Sequence, residues 1–244
     1  MPPAADEMHF WRKPDSYLRV YEKLLGPLRT ERFAMLELGV AGGHSLQMWR
    51  DTFPYATVVG VDLDPPAVDL GPRVTIARGD QADPDLLGRL RRDHAPGGFN
   101  VIIDDASHVG VVSARSLQAL FGEHLRPGGL YLIEDWQTGY IPYPAWPDGA
   151  AYRDRLDADT LSETAAASGG SANGSSGSGG DARMPSHDAG MVGLVKRLID
   201  HVAAASIRDA DAGCVDSPLP IESMTVHPGV IALRKAADPA ATPA

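Results

Sequence analysis

Two stretches of this chain pass abruptly from apolar residues to carboxylates: Val101-Ile102-Ile103-Asp104-Asp105-Ala106-Ser107-His108 and, one strand-helix unit later, Leu130-Tyr131-Leu132-Ile133-Glu134-Asp135. An apolar run without polar alternation is the mark of a strand covered on both faces, and such strands belong to parallel sheets. Ligands of these sheets sit beyond the C-terminal ends of the strands. Two neighbouring strands would therefore deliver Asp105, Glu134 and Asp135 to one place, with His108 beside them. Three carboxylates repel one another strongly when crowded, so either a hard cation neutralises them or they do not converge.

The rest of the chain supplies the rhythm that such a sheet requires. Residues 15–25 read as a helix, with Tyr17, Leu18, Tyr21, Leu24 and Leu25 at helical spacing before Gly26-Pro27. Strands are expected at 34–38, 58–62, 74–77, 101–103 and 130–133, with helices beginning at Ser45 and Pro84 and spanning 113–125. Asp83 followed by Pro84 is a capping carboxylate with proline at the first helical position, and Leu86, Leu87 and Leu90 supply the inner face. This alternation predicts an α/β, Rossmann-like, doubly wound and mostly parallel sheet. Residues 136–148 are rich in aromatics and proline, which predicts a rigid loop rather than a further helix. A helical apolar face returns at Met191, Leu194, Val195, Leu198, Ile199 and Val202. Residues 221–226 and 230–233 flank His227-Pro228-Gly229 and read as a C-terminal antiparallel strand pair. The expected organisation is an N-terminal helical segment over 1–30 and one domain over 31–244, with a flexible Gly/Ser-rich insertion at about 165–185.

Charge narrows the partners. A formal net charge of −10 argues against nucleic-acid and anionic-membrane partners, which need a basic face. A neutral or cationic small molecule suits the chain better. The only cysteine is Cys214, which rules out an intrachain disulfide and gives no sign of an oxidising compartment. With no signal pattern at the start and no apolar run near the ~20 residues of a membrane span, the expectation is a soluble cytoplasmic protein. Assembly into a homo-oligomer is left open.

Glu37-Leu38-Gly39-Val40-Ala41-Gly42-Gly43 joins the first strand to the helix that begins at Ser45. Glycines here permit positive φ and close backbone approach by a ligand, though a purely structural turn has the same composition. The turn lacks a phosphate-binding Lys or Arg, and Glu37 would repel a pyrophosphate while suiting an ammonium group. Asp62, at the end of the second strand, can accept hydrogen bonds from ribose hydroxyls. Asp80 and Gln81, after the third, could meet the amine and ring nitrogens of a base. Each could equally be a loop or capping residue. Together, in chain order at successive strand ends, they fit S-adenosylmethionine, which has an amino-acid tail, a ribose and an adenine but no phosphate. The candidate cofactor residues are Glu37, Gly39, Gly42, Gly43, Ser45, Asp62, Asp80 and Gln81. Consecutive strand residues face opposite sides, so Asp104 is set apart from Asp105 as a supporting or cofactor-side residue.

The runs LELGVAGGHSLQMW, FPYATVVGVDLD, GDQADPDLL, IIDDASHV and LRPGGLYLIEDWQTGY resemble the magnesium-dependent sugar O-methyltransferases of the demethylmacrocin and mycinamicin type. These are class I S-adenosylmethionine-dependent enzymes related to cephalosporin-hydroxylase-like proteins. The resemblance covers roughly residues 36–140, with weaker echoes in PDSYLRVYEKL and in the terminal strand pair. It implies the class I methyltransferase fold, Asp105, Glu134 and Asp135 as Mg²⁺ ligands, and His108 as general base. Ala41 and Ala106 stand where relatives often have glycine, and the Gly/Ser tract largely replaces the substrate-loop region.

On this reading Mg²⁺ would orient two vicinal sugar hydroxyls and stabilise developing alkoxide charge. His108 would remove the proton, help typically worth about 10²–10⁴-fold. Trp136, Tyr140, Tyr143 and Trp146 could form an acceptor wall, aromatic faces covering sugar rings well, or could equally be anchors between loop and core. The acceptor expected is a glycosylated small molecule of natural-product (antibiotic) biosynthesis. A catechol-like acceptor and a non-catalytic cofactor-binding accessory protein are the alternatives.

Overall fold

The computed structural model describes residues 13–141, 146–149, 151, 187–204 and 219–237. Tyr143, Cys214 and the Gly/Ser tract at about 165–185 lie outside the described residues.

Five parallel strands form the body of a seven-stranded sheet of order β3-β2-β1-β4-β5-β7-β6. They are β1 (Ala34–Leu38), β2 (Thr57–Asp62), β3 (Val74–Arg78), β4 (Phe99–Asp104) and β5 (Leu125–Glu134). The last two strands, β6 (Ile221–Val226) and β7 (Val230–Lys235), are an antiparallel pair, with β7 laid antiparallel on β5. The helices are α1 (Asp15–Leu25), α2 (His44–Thr52), α3 (Pro84–His94), α4 (Gly110–Glu123) and α5 (Gly190–Ala204). Strand order reverses between β1 and β4, which opens a crevice at their C-terminal ends.

The pleat sorts the strand residues onto two faces. Leu36, Ile102, Tyr131 and Ile133 join one core with Leu86, Leu117, Leu120 and Leu194, from α3, α4 and α5. Met35, Val101, Ile103, Leu130 and Leu132 join the other with Tyr17, Tyr21, Leu46 and Trp49, from α1 and α2. Because both faces are covered, β1 carries no exposed position at all, Glu37 included. The start of α3 is capped as predicted: the Asp83 carboxylate accepts from the N–H groups of Asp85 and Leu86, with Pro84 at the first turn.

Most boundaries shift by a residue or two from the sequence reading, and three differences are larger. β5 starts at Leu125, which pairs with Phe99; the register then shifts over Arg126 to Gly129, where Gly128 takes φ 73°, and pairing resumes at Leu130. α4 starts at Gly110 rather than Ser113, since Asp148 accepts from the Gly110 N–H at 2.8 Å and anchors an earlier first turn. Residues 136–148 are not simply loop: Trp136–Tyr140 forms a 3₁₀ turn, and residues 147–149 are helical.

Candidate active site

The ends of β1, β4 and β5 meet beneath a cleft of about 1120 Å³. That exceeds the upper end of ordinary small-ligand pockets, ~1,000 Å³, so two small molecules can share it. One side is the glycine turn. Gly39 has φ +85°, and a Cβ there would stand 2.1 Å from the backbone oxygen of Asp105, so no other residue fits without moving β4's exit. Gly42 and Ser45 line the cleft, but Gly43 does not; it precedes α2 with φ +83° and faces Val68 instead.

Asp62 lines the same side. One of its oxygens accepts from the N–H groups of Val40 and Ala41 at 2.7 and 3.1 Å, and the other from Asp64 at 2.9 Å. Burial opposes ionisation, yet these backbone donors outweigh it and hold the carboxyl below its usual range. Asp80 and Gln81 also line the cleft, with Asp80 closing its own turn onto Ala82. The Gln81 amide donates to Ser116 at 2.7 Å and to Asp104 at 3.3 Å. Asp104 itself is buried on the α3–α5 face and does not line the cleft. Burial pushes it up to about 6, against the pull of the Ser113 hydroxyl and His108.

Glu37 departs most from its predicted role. The pleat turns it towards α1 and α2, where it is wholly buried and reaches no cleft surface. Its partners are Trp49 Nε1 at 3.1 Å and Lys13 Nζ at 3.2 Å. An ammonium does meet Glu37, but it belongs to the protein itself.

The three predicted metal-binding acids come to one wall, divided between two clusters. Asp105, His108 and Asp135 form an outer group; Glu37, Asp105 and Glu134 form an inner one, and Asp105 belongs to both. Lys13 Nζ sits within the inner group, 2.6 Å from Glu134 Oε1 and 2.8 Å from Asp105 Oδ2. Burial would drive that amine towards neutrality, but Glu37, Glu134 and Asp105 outweigh it and hold its pKa well above the lysine range. Burial likewise pushes Glu134 above the usual carboxylate range, against the pull of Lys13. The Tyr21 hydroxyl donates to Glu134 Oε1, and the Tyr17 hydroxyl donates to Asp135 Oδ1. Gln137 Nε2 donates to Asp135 Oδ1 as well, at 3.2 Å. Burial first, and then these carboxylates, raise both phenols, which therefore remain donors.

These inward bonds leave Asp105 Oδ1 and Asp135 Oδ2 facing the cleft, each 3.7 Å from His108 Nε2. His108 and Asp135 hold left-handed backbone conformations, φ 50° and 55°, and so does Ala41 at 44°. Non-glycine residues adopt this region rarely, and such strain gathers at functional sites. The edge of the Trp146 ring system lies against His108, with centroids 5.4 Å apart.

The aromatic wall predicted from sequence is narrower than expected. Trp146 lines the cleft, whereas Trp136 and Tyr140 do not. The left-handed turn at Asp135 sends them the other way: Trp136 Nε1 donates to the His227 carbonyl at 3.0 Å, and Tyr140 lies edge-on to Trp136 and His187. Lys13 is the site residue that sequence reasoning missed. A single lysine before Pro14-Asp15 carries no pattern, and Tyr17 and Tyr21 read simply as the inner face of a helix.

Comparison with known proteins bears on this geometry. The chain is 39% identical over 130 residues to mycinamicin VI 2''-O-methyltransferase of Micromonospora griseorubida. It is 37% identical over 129 residues to demethylmacrocin O-methyltransferase of Streptomyces fradiae. Among solved structures it resembles the MycE methyltransferase of the mycinamycin biosynthetic pathway in complex with Mg, SAH and mycinamycin VI. That likeness has 28% identity and a TM-score of 0.60, over 90% of this chain and 48% of that one. Over about half of its length the chain is therefore similar to sugar O-methyltransferases. No protein-family model matches it. The match takes in about half of the chain and spans about a third of the curated relatives' length, 32% in both cases.

Proposed function

We propose that the protein transfers a methyl group from S-adenosylmethionine to a sugar hydroxyl of a glycosylated small molecule, with Mg²⁺ on the acid wall. The observation that carries this reading is the placement of His108 Nε2 3.7 Å from both Asp105 Oδ1 and Asp135 Oδ2, in a cleft that the glycine turn also lines. Carboxylate oxygens are the donors a hard cation prefers, and the outer group offers them with one face open. Asp105, Glu134 and Asp135 would hold the metal, Asp105 and Asp135 as members of the outer group and Glu134 only through Oε2, since Lys13 and Tyr21 engage its Oε1. Bound there, the ion would supply charge to a developing alkoxide and an anchor for vicinal hydroxyls.

The donor would lie along Gly39, Gly42, Ser45, Asp62, Asp80 and Gln81, with Asp62 towards the ribose and Gln81 towards the base. A sulfonium is already a good leaving group, so the demand on the chain is deprotonation of the acceptor. His108 would take that proton at Nε2. Trp146 would cover one face of the sugar. Relatives that act on macrolide sugars support the acceptor class, a partner of small-molecule glycoside type.

The test is a methyl-transfer screen across glycosides and catechols with wild type and His108→Ala. Transfer to a glycoside that falls about 10²–10⁴-fold in the variant, with cofactor affinity kept, is the expected result. Cofactor binding without transfer to any acceptor would leave an accessory role; undiminished turnover in the variant would take His108 out of the chemistry.

A further inference from the structure

Lys13 is the feature that the proposed chemistry leaves unused. Its ammonium is the single positive group among Glu37, Asp105 and Glu134, whose oxygens all lie within 4.8 Å of one another. That spacing is one a divalent ion could bridge, yet Lys13 already stands there with its side chain only 7% exposed. At 2.6 and 2.8 Å it is hydrogen-bonded to Glu134 and Asp105, and at 3.2 Å it pairs with Glu37 by charge alone. The pairing is also one-sided. Lys13 takes Asp105 Oδ2, while Asp105 Oδ1 is left towards His108. On Glu134, both Lys13 and the Tyr21 hydroxyl engage Oε1. Lys13 thus fixes the inner oxygens without occupying the outer group.

We infer that Lys13 is a built-in cation of a two-cation acid cluster, a positioning residue that fills the inner position and aims the shared Asp105 at the outer one. The inference rests on reading the outer group as the metal position. One fixed ammonium lets the buried carboxylates stand together before any metal arrives, and it limits this acid cluster to one exchangeable ion. Removing the ammonium opens the inner position to a second divalent ion, held by Glu37, Asp105 and Glu134.

The test counts ions. Chelator-stripped protein is titrated with Mn²⁺, and unbound Mn²⁺ is followed by electron paramagnetic resonance for wild type, Lys13→Met and Lys13→Arg. The expected result is one ion for wild type and for Lys13→Arg, and one more for Lys13→Met. The inference is read in the difference between Lys13→Met and wild type, and the metal reading in wild type's own ion, so the two can fail separately. Equal stoichiometry in Lys13→Met and wild type overturns the role of Lys13. Wild type binding no ion, with Lys13→Met still gaining one, sinks the metal reading alone. If Lys13→Met does not fold in chelator, refolding on addition of Mn²⁺ supports the inference, and failure to refold with Mn²⁺ overturns it.

Discussion

Glu134 shows how single residues set the character of this site. It is buried at the end of β5, and a carboxylate there without partners would cost far more than its pairing returns. Lys13 and Tyr21 both engage its Oε1, so the acid is held in place from behind by a charge and a neutral donor. Tyr21 is itself buried, and its ring meets Trp49 edge-on with centroids 4.9 Å apart, so the hydroxyl can be removed without disturbing the ring. We predict that Tyr21→Phe loses about 0.5–1.5 kcal/mol of stability, the net range for a hydrogen bond within a protein. Urea denaturation at neutral pH measures it, and a change below ~0.5 kcal/mol would mean that this bond contributes little. His108 and Asp135 add a second residue-scale point: their left-handed backbones aim both side chains at one spot, and sequence does not announce such a conformation in a histidine or an aspartate.

At the scale of elements, legibility followed burial. β1, β2 and β4 were readable because a strand covered on both faces is mostly apolar, and Asp83-Pro84 announced α3 by its capping chemistry. The turn that carries the candidate cofactor residues was readable from its local sequence, since Gly39 has no space for a Cβ. Less readable were the contacts that cross elements. Asp148 accepts from the N–H groups of Gly110 and Met191 at 2.8 and 2.7 Å, tying the starts of α4 and α5 to the segment that carries Trp146, and nothing in its neighbourhood signals this. His201, near the end of α5, does the same at the other end: its Nδ1 accepts from the Leu219 N–H at 3.1 Å, where the chain enters β6. That bond requires Nδ1 to be unprotonated, and burial depresses the imidazole below its ordinary range, against the pull of Asp200. The folded state therefore binds this proton less readily than the unfolded one, so its contribution is present above the ordinary histidine pKa and is lost as pH falls through and below it. An asparagine could accept the same N–H without titrating. We predict that His201→Asn flattens the loss of melting temperature between about pH 7 and pH 5, and parallel curves for the two proteins would remove His201 from the acid response.

For the whole molecule, the sheet separates two tasks across one cleft. The ends of β1, β2 and β3 carry the glycine turn, Asp62, Asp80 and Gln81, while β4 and β5 deliver the acids and His108. Asp105 is the hinge between them, since its backbone receives the close approach of Gly39 and its side chain serves both acid groups. Asp135 lies on the far side, held by Tyr17 and Gln137 and remote in sequence from every cofactor candidate. If this division is real, the two ligands should stabilise the fold through separable contacts. A ligand that binds only the folded state at 100-fold its Kd adds about 2.7 kcal/mol, and for a chain of this size each kcal/mol shifts the melting temperature by about 2–4 °C. We predict that saturating S-adenosylhomocysteine and saturating Mg²⁺ each raise the melting temperature by roughly 5–10 °C, on that same arithmetic. EDTA should abolish the second shift and spare the first, and Asp135→Asn should do the same without chelator. Thermal denaturation with each ligand alone and with both decides the matter. Loss of the S-adenosylhomocysteine shift in Asp135→Asn would show that the acid wall and the glycine turn form one site, because an asparagine keeps the shape of the side chain and removes only its charge.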